Sequence, residues 1–346
     1  MATLQEIADR AGVSLNTASR ILAGRIKGVR KDAVARSETV LKIAQELNYR
    51  PNTSAQAIRS GRFGGIALLL STNPNRSHMP RGMLEGIEAV LVGHDMHLTL
   101  TRVPDERLTQ QGVVPKILRR SMTDGLLINY TDHIPDKMID LIEREKIPSV
   151  WINTNRETDC VRPDDFAAAQ QATKELIKRG HRRIAYVDYH NNHSPLVGPL
   201  HYSVADRSNG YIAAMEAAGL TPQLVWEERD VTRERMTLAS ALLASPDRPT
   251  AIVAYSPFTA LPLLIAAFKT GRLDVPKDLS LITFSDILSD DAGLALSAML
   301  IPTPEIGRLA TEMLLRKIEE PLLTQPSLAV PFVLALGSTI ASPRPV

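Results

Sequence analysis

Asn16, Ser19 and Arg20 stand on one face of a short predicted helix whose other face is apolar through Ala18, Ile21 and Leu22, at about 100° per residue. In the major groove of duplex DNA, arginine pairs with guanine edges and asparagine with adenine edges. Each good bidentate contact is worth roughly 1–3 kcal/mol of discrimination. Asn16 or Arg20 alone would suit an ordinary solvated helix face, so the frame around them decides. Thr3 and Glu6 have capping-box spacing, and Leu4, Ile7, Ala8 and Ala11 follow at i, i+3, i+4 and i+7. Gly12 stops that helix and Ser14 can cap the next. Cap, helix, glycine turn, cap and polar-faced helix together make a helix-turn-helix. A third helix follows from Ala33, Ser37, Val40, Leu41, Ala44 and Leu47.

The charge distribution agrees with a DNA partner. The 346-residue chain has a net charge of +2. Residues 1–62 hold eleven Lys/Arg against five Asp/Glu, and the remaining 284 hold 29 against 33, so the basic surplus sits beside the helix-turn-helix. Such a concentration neutralises phosphates and makes binding strongly salt-dependent. A membrane surface would also attract it, but the apolar stripes here are short and consumed by helix packing. With one cysteine, Cys160, the chain has no internal disulfide and no cysteine metal cluster. No signal-peptide pattern opens it and no apolar run reaches membrane-spanning length, so a cytoplasmic setting is expected.

Leu4 to Arg20, then Leu47-Asn-Tyr49-Arg-Pro51-Asn52 and Ala55-Gln-Ala-Ile58, resemble the headpiece of lactose-repressor-type (LacI/GalR) regulators. The resemblance continues in Asp124-Gly125-Leu-Leu-Ile-Asn129, Ile147-Pro148, Arg179-Gly180-His181-Arg-Arg-Ile184-Ala185 and Arg207-Ser-Asn-Gly210-Tyr211, and so covers nearly the whole chain. The headpiece motif is highly specific, whereas the later segments are specific mainly as an ordered series. The resemblance implies an operator-binding transcriptional regulator, expected as a homodimer because one recognition helix reads only a half-site. The DNA-facing set it implies is Thr3, Ser14, Leu15, Asn16, Thr17, Ser19 and Arg20, with Asn52 and Ile58.

Pro51 to Ile58, with Gly61 past its end, matches the family's hinge helix. Ordering about nine residues costs on the order of 10 kcal/mol, more than one isolated polar turn recovers, so the hinge is expected to order only on DNA. Ile58, at the family's usual leucine wedge, would then enter and kink the minor groove; simple packing is its other reading. Arg25-Ile-Lys27-Gly-Val-Arg30-Lys31 is longer than the family's usual loop. Extra phosphate contact and plain exposure both remain open readings for it.

Beyond Gly64 short apolar strands alternate with helices. Expected strands are Ile66–Leu70, His97–Leu100, Leu126–Asn129, Ser149–Ile152, Ile184–Val187, Ala251–Ala254 and Leu281–Phe284. Expected helices are Met83–Val92, Phe166–Arg179, Asn209–Ala218, Pro262–Thr270 and Ile306–Ile318. Alternation of this kind is α/β architecture with parallel sheets. The domains expected are a three-helix headpiece at 1–50, a hinge at 51–62 and a two-lobed, periplasmic-binding-protein-like core at 63–341. One lobe would take about 63–160 and 302–328, the other about 161–301 and 329–341, with a small effector, a sugar by family analogy, between them at the strand carboxyl ends.

Arg207, just ahead of a predicted helix bearing Gly210, occupies the place of the family's effector-gripping arginine. Ser71, Asn129 and Asn153 follow strands at positions the family uses for ligand-facing polar groups, although each also suits a turn. The family pattern is broken nearby: Ser256-Pro257 replaces the usual Asn-Asp, Ser285 the usual Asp, and Met299-Leu300-Ile301 stands where a Gln or Arg is common. Asp286 could substitute for its lost neighbour or cap a turn. Ser256, Ser285 and Asp286 complete the candidate set, and the losses leave room for a less hydroxylated or partly apolar effector beside the sugar of family analogy.

His190-Asn-Asn-His193 and His201 lack a zinc spacing, and Pro195, Gly198 and Pro199 make a flexible loop the better reading. Asp164-Asp165 reads as an exposed loop leading into a helix rather than an acid and base pair. No phosphate loop, dinucleotide fingerprint or nucleophile set stands out, so neither cofactor nor catalysis is expected. The alternatives are a solute-binding protein, opposed by the headpiece, and an α/β enzyme on the same core.

Overall fold

The computed structural model describes residues 2–22, 24, 31–49, 62–72, 77, 79–104, 123–131, 134–189, 200–226, 232–270, 273–288 and 293–344. The hinge with Asn52 and Ile58, residues 25–30 of the basic loop, and His190 to His193 lie outside them. The chain forms two compact units, Met1–Phe63 and Gly64–Val346.

The first unit contains α1 (Leu4–Arg10), α2 (Leu15–Leu22) and α3 (Lys31–Glu46). Thr3 Oγ1 accepts from the Glu6 amide at 3.2 Å, satisfying one of the free donors that open α1. At the other end Gly12 adopts φ +62°, and the Val13 amide returns to the Ala8 carbonyl at 3.0 Å. This is a left-handed closure that glycine makes without a Cβ penalty. Ser14 Oγ then accepts from the Thr17 amide at 3.2 Å and starts α2 in a new direction. Ile7, Ala8, Ala18, Ile21, Val40 and Ala44 form the buried core among the three helices.

In the second unit the chain order is β1 (Gly65–Ser71), α4 (Arg81–Gly93), β2 (His97–Val103), β3 (Gly125–Asn129), α5 (Asp136–Arg144), β4 (Ser149–Ile152), β5 (Cys160–Pro163) and α6 (Asp165–Lys178). It continues through β6 (Ile184–Asp188), α7 (Tyr202–Ala217), β7 (Gln223–Trp226), α8 (Thr232–Ala244), β8 (Ala251–Ala254), α9 (Pro257–Thr270) and β9 (Ser280–Ser285). It closes with β10 (Ser297–Leu300), α10 (Thr303–Glu319), β11 (Leu328–Val330) and β12 (Val333–Ala335).

Two six-stranded sheets result, ordered β11-β5-β4-β3-β1-β2 and β12-β10-β9-β8-β6-β7. Every pairing is parallel except β10 with β12. Central strands such as β1 are buried along their whole length, as strands covered on both faces must be, which is why they read as unbroken apolar runs. The chain passes between the sheets after Pro163, after Leu300 and after Val330.

Several elements depart from the sequence expectation. Helix α7 begins at Tyr202, seven residues before the expected Asn209, and α9 begins at Pro257 with Pro262 inside it. Strands β5, β7, β10, β11 and β12 were not expected; each is four residues or fewer, and none is buried along its whole length as the equally short β4 and β8 are. Helices α5 and α8 were not among those named either, although Met138, Leu141 and Ile142 give α5 a legible apolar stripe.

Candidate functional sites

On α2 the packing of Ala18 and Ile21 into the three-helix core leaves Asn16 and Arg20 exposed and Ser19 half-buried. Asn16 and Arg20, four apart, are neighbours on the helix surface. Leu15 is exposed beside them. Thr3, Ser14 and Thr17 are engaged in the caps: Ser14 Oγ is 2.8 Å from Thr17 Oγ1 as well as accepting the Thr17 amide. The first turn of α2 carries no acidic residue, so its amide dipoles are uncompensated, an arrangement that favours an anion such as a phosphate.

The second site is built around Arg207, which lies within α7 rather than ahead of a helix as the sequence suggested. Its Nε donates to Asp165 Oδ1 at 2.7 Å and its NH1 donates to the Tyr255 carbonyl at 2.7 Å. The guanidinium carbon lies 4.4 Å from the ring centre of Phe284 and 4.6 Å from that of Tyr255. Burial alone would lower the pKa of Arg207, but the adjacent Asp165 outweighs it and holds the guanidinium pKa above its ordinary value. Asp165 is therefore no exposed loop residue. Asp164 is the N-cap of α6, accepting from the Ala167 amide at 3.1 Å, and that cap turns the next side chain, Asp165, inward to full burial.

Tyrosines line the same region. Tyr255 OH is 2.8 Å from Ser203 Oγ, and burial pushes the hydroxyls of Tyr186, Tyr202 and Tyr255 upward in pKa, so they stay protonated near neutrality. Asp165 Oδ2 and Tyr186 OH are buried and have no hydrogen-bond partner among the described residues.

The other candidates fall into recognisable groups. Ser256 follows β8 and caps α9, its Oγ accepting from the Thr259 amide at 3.3 Å, and it stands next to Tyr255, whose carbonyl binds Arg207. Ser285 ends β9 beside Phe284, and its Oγ accepts from the Ile287 amide at 3.3 Å; Asp286 is half-buried next to it. Ser71 and Asn129, both buried at strand ends of the first sheet, are joined through Ser77. The Ser71 amide donates to Ser77 Oγ at 2.8 Å, and that hydroxyl donates to the Asn129 carbonyl at 2.6 Å. Asn153 follows β4 with φ +57°. It accepts from His201 Nε2 at its carbonyl (2.9 Å) and from Tyr202 OH at its Oδ1 (3.1 Å), so it meets the start of α7 directly. His201 is thus no part of a flexible loop: it is the N-cap of α7, with Nδ1 facing Ser203.

Sequence reading missed Asp165, Ser203, Tyr255 and Phe284. Ser203 and Arg207 are spaced i, i+4, a signal that becomes visible only once α7 is known to start at Tyr202. Among the described residues no group of three or more His, Cys, Asp or Glu could hold a metal, and no helix is long and apolar enough to cross a membrane.

Residues 3–52 match the family model described as bacterial regulatory proteins, lacI family, and residues 173–340 match the periplasmic binding protein-like domain. The ribose operon repressor of Escherichia coli (strain K12) is 29% identical over 353 residues, covering 98% of this chain and 100% of that protein. The ribose operon repressor of Haemophilus influenzae is 30% identical over 327 residues, 93% of each chain. A crystal structure of the lac repressor dimer bound to operator and the anti-inducer ONPF has a TM-score of 0.77 at 20% identity, covering 98% of this chain and 99% of that one.

Proposed function

The chain belongs to the LacI/GalR family of DNA-binding, effector-regulated repressors, and from that premise we propose which residues carry each half of the task. Asn16 and Arg20 of α2 read base edges of an operator half-site, with Ser19 and Leu15 beside them and Thr3, Ser14 and Thr17 fixing the helix ends. The observation that carries this reading is the exposed Asn16–Arg20 edge of α2, set by its capped start and buried opposite face, inside the segment that matches the lacI family model. Asn52 and Ile58 are assigned the hinge roles implied by the family.

The effector lies against Arg207, Ser203, Ser256, Ser285 and Asp286 of the second lobe and faces Ser71, Asn129 and Asn153 of the first. Asp165 Oδ2 and Tyr186 OH are buried without a hydrogen-bond partner among the described residues, polar capacity that an opening of the site would offer to effector hydroxyls. A neutral, hydroxyl-bearing metabolite suits a pocket whose arginine already has its own carboxylate. D-ribose is the first compound to test, because two of the similar proteins are ribose operon repressors. As a ligand it must bind one conformation of the protein better than the other to change operator affinity.

The working form is a homodimer. Phe258, Leu261 and Phe268 make an exposed apolar stripe on α9, 83%, 54% and 57% accessible, with Ile287 and Leu288 also exposed. Such a stripe on a DNA-binding protein that needs two half-sites fits burial against a second copy.

Selection of bound duplexes from a random pool, repeated with D-ribose and a panel of other metabolites, tests the whole reading. Enrichment of a two-fold symmetric site whose retention changes with one compound is expected. A pool that remains random at low and moderate salt would overturn it.

A further inference from the structure

The start of α7 carries two sets of side chains on adjoining faces, each spaced i, i+4. Ser203 and Arg207 point into the effector region, where they meet Tyr255 and Asp165. Tyr202 and Asp206 face the first lobe. Tyr202 OH donates to Asn153 Oδ1 at 3.1 Å, and Arg162 NH1 of β5 donates to Asp206 Oδ2 at 3.4 Å. The Arg162 guanidinium lies 5.2 Å from the Tyr202 ring centre. His201, capping the same helix, adds its Nε2 bond to the Asn153 carbonyl at 2.9 Å, while Nδ1 stays turned toward Ser203. Asn153, in the left-handed region at φ +57°, donates its amide to the Val161 carbonyl of its own lobe at 2.9 Å and takes contacts from α7 on its own carbonyl and side chain at once. Arg162 and Asp206 are each only partly accessible, with side-chain exposures of 25% and 31%, so their attraction is less screened than that of a surface pair.

We propose that the first two turns of α7 form an interlobe clasp, in which Tyr202 and Asp206 hold Asn153 and Arg162 of the first lobe, and that effector occupancy reaches the operator-binding unit through this clasp. The physical basis is that one rigid helix segment bears both sets. A ligand that pulls on Ser203 and Arg207 must shift or rotate the same turns that present Tyr202 and Asp206, so the two contacts exchange free energy. Asn153 is then a closure residue, occupied from the opposite lobe, in addition to its place on the effector's border. The clasp as a contact between lobes stands on the geometry alone; its effect on operator binding rests on the proposed repressor function.

Two measurements on the full-length protein separate these. Small-angle X-ray scattering of wild type, Tyr202→Phe, Arg162→Asp, Asp206→Arg and the Arg162→Asp/Asp206→Arg exchange reports lobe opening without DNA. The single variants should expand and the exchange should return toward the wild-type radius. Unchanged scattering in folded single variants would overturn the clasp. Titration of a duplex selected by the wild type then reads the coupling. Tyr202→Phe and Asp206→Arg should shift the operator Kd at least fivefold in the same direction, and the charge exchange should bring it within twofold of wild type. Wild-type Kd in variants that do open would overturn the transmission to DNA while leaving the repressor assignment intact. If the wild type selected no duplex at all, the repressor reading would fail and the scattering series would still decide the clasp.

Discussion

Arg207 Nε and Asp165 Oδ1 meet at 2.7 Å in a pair whose side chains are 7% and 0% exposed, joining α7 to α6 beneath the candidate effector site. Removing one partner from such a pair leaves an uncompensated buried charge. Asp165→Ala is expected to destabilise the second unit by about 3–5 kcal/mol in denaturant unfolding. Replacing both by apolar residues, Asp165→Leu with Arg207→Met, should cost less than either single change. A double variant as unstable as the sum of the two singles would show that the pair is not the source of the loss.

The exposed Asn16–Arg20 edge of α2 gives a second prediction. Arg20→Ala should reduce discrimination between the selected site and its base-substituted versions by about 1–3 kcal/mol at one position in each half-site. Ser14→Ala should instead lower the melting stability of the first unit by about 1 kcal/mol, through loss of the α2 cap, and leave base preference at every position intact. Competition titrations with a panel of duplexes distinguish the two.

His181 gives a pH prediction. Its Nδ1 faces Thr250 Oγ1 at 2.9 Å, while Nε2 faces Ser280 Oγ at 3.1 Å and the Ala341 carbonyl at 2.9 Å. Burial lowers its pKa below the ordinary 6.5, the bond to Ala341 opposes this, and Arg179 adds to the lowering. A depressed histidine pKa means that the unfolded chain binds the proton more readily than the folded one. The contribution is therefore fully present above about pH 6.5 and is lost as pH falls from there through the folded-state value. Unfolding curves between pH 8 and pH 5 should show this loss, and His181→Asn should flatten it.

Close packing of α7 on α6 supplies a fourth. A Cβ at Gly210 would collide with the Phe166 carbonyl oxygen and crowd the Ala169 side chain. Neither backbone can give way without moving Arg207 away from Asp165. Gly210→Ala should cost about 1–3 kcal/mol as overpacking and weaken binding of whichever compound alters operator retention. Calorimetric titration at wild-type affinity with the variant would count against the link between this contact and the effector site.

The exposed stripe on α9 supplies the last. Phe258→Asp with Leu261→Asp removes apolar side chains that are 83% and 54% accessible in the isolated chain, so the fold should survive. Sedimentation should show a dimer in the wild type and a monomer in the double variant, with operator affinity falling accordingly. A double variant that remains a dimer would place the interface elsewhere.

What could be read from the chain, and what could not, follows the range of the forces involved. The headpiece was legible because its determinants are local: the Thr3 and Ser14 caps act three residues away, Gly12 stops a helix by its own backbone freedom, and Ala18, Ile21 and Leu22 repeat within two turns. The βαβ alternation was legible for the same reason in β1, β3, β8 and β9, where whole strands are buried and mainly apolar, with polar residues chiefly at their ends. The start of α7 was not, because its cap is a histidine and its first turns carry Ser, Asp and Arg for contacts elsewhere.

The sequence by itself determined a helix-turn-helix with Asn16 and Arg20 outward and a two-sheet α/β body, since caps, turns and periodicity act between near neighbours in the chain. Only the tertiary structure decided that Asp165 is buried against Arg207, 42 positions away, and that Asn153 is held by Tyr202, 49 positions away. Those pairings depend on which elements the sheets and helix packing bring together, and a carboxylate or amide carries no local mark of the partner that will neutralise or bind it.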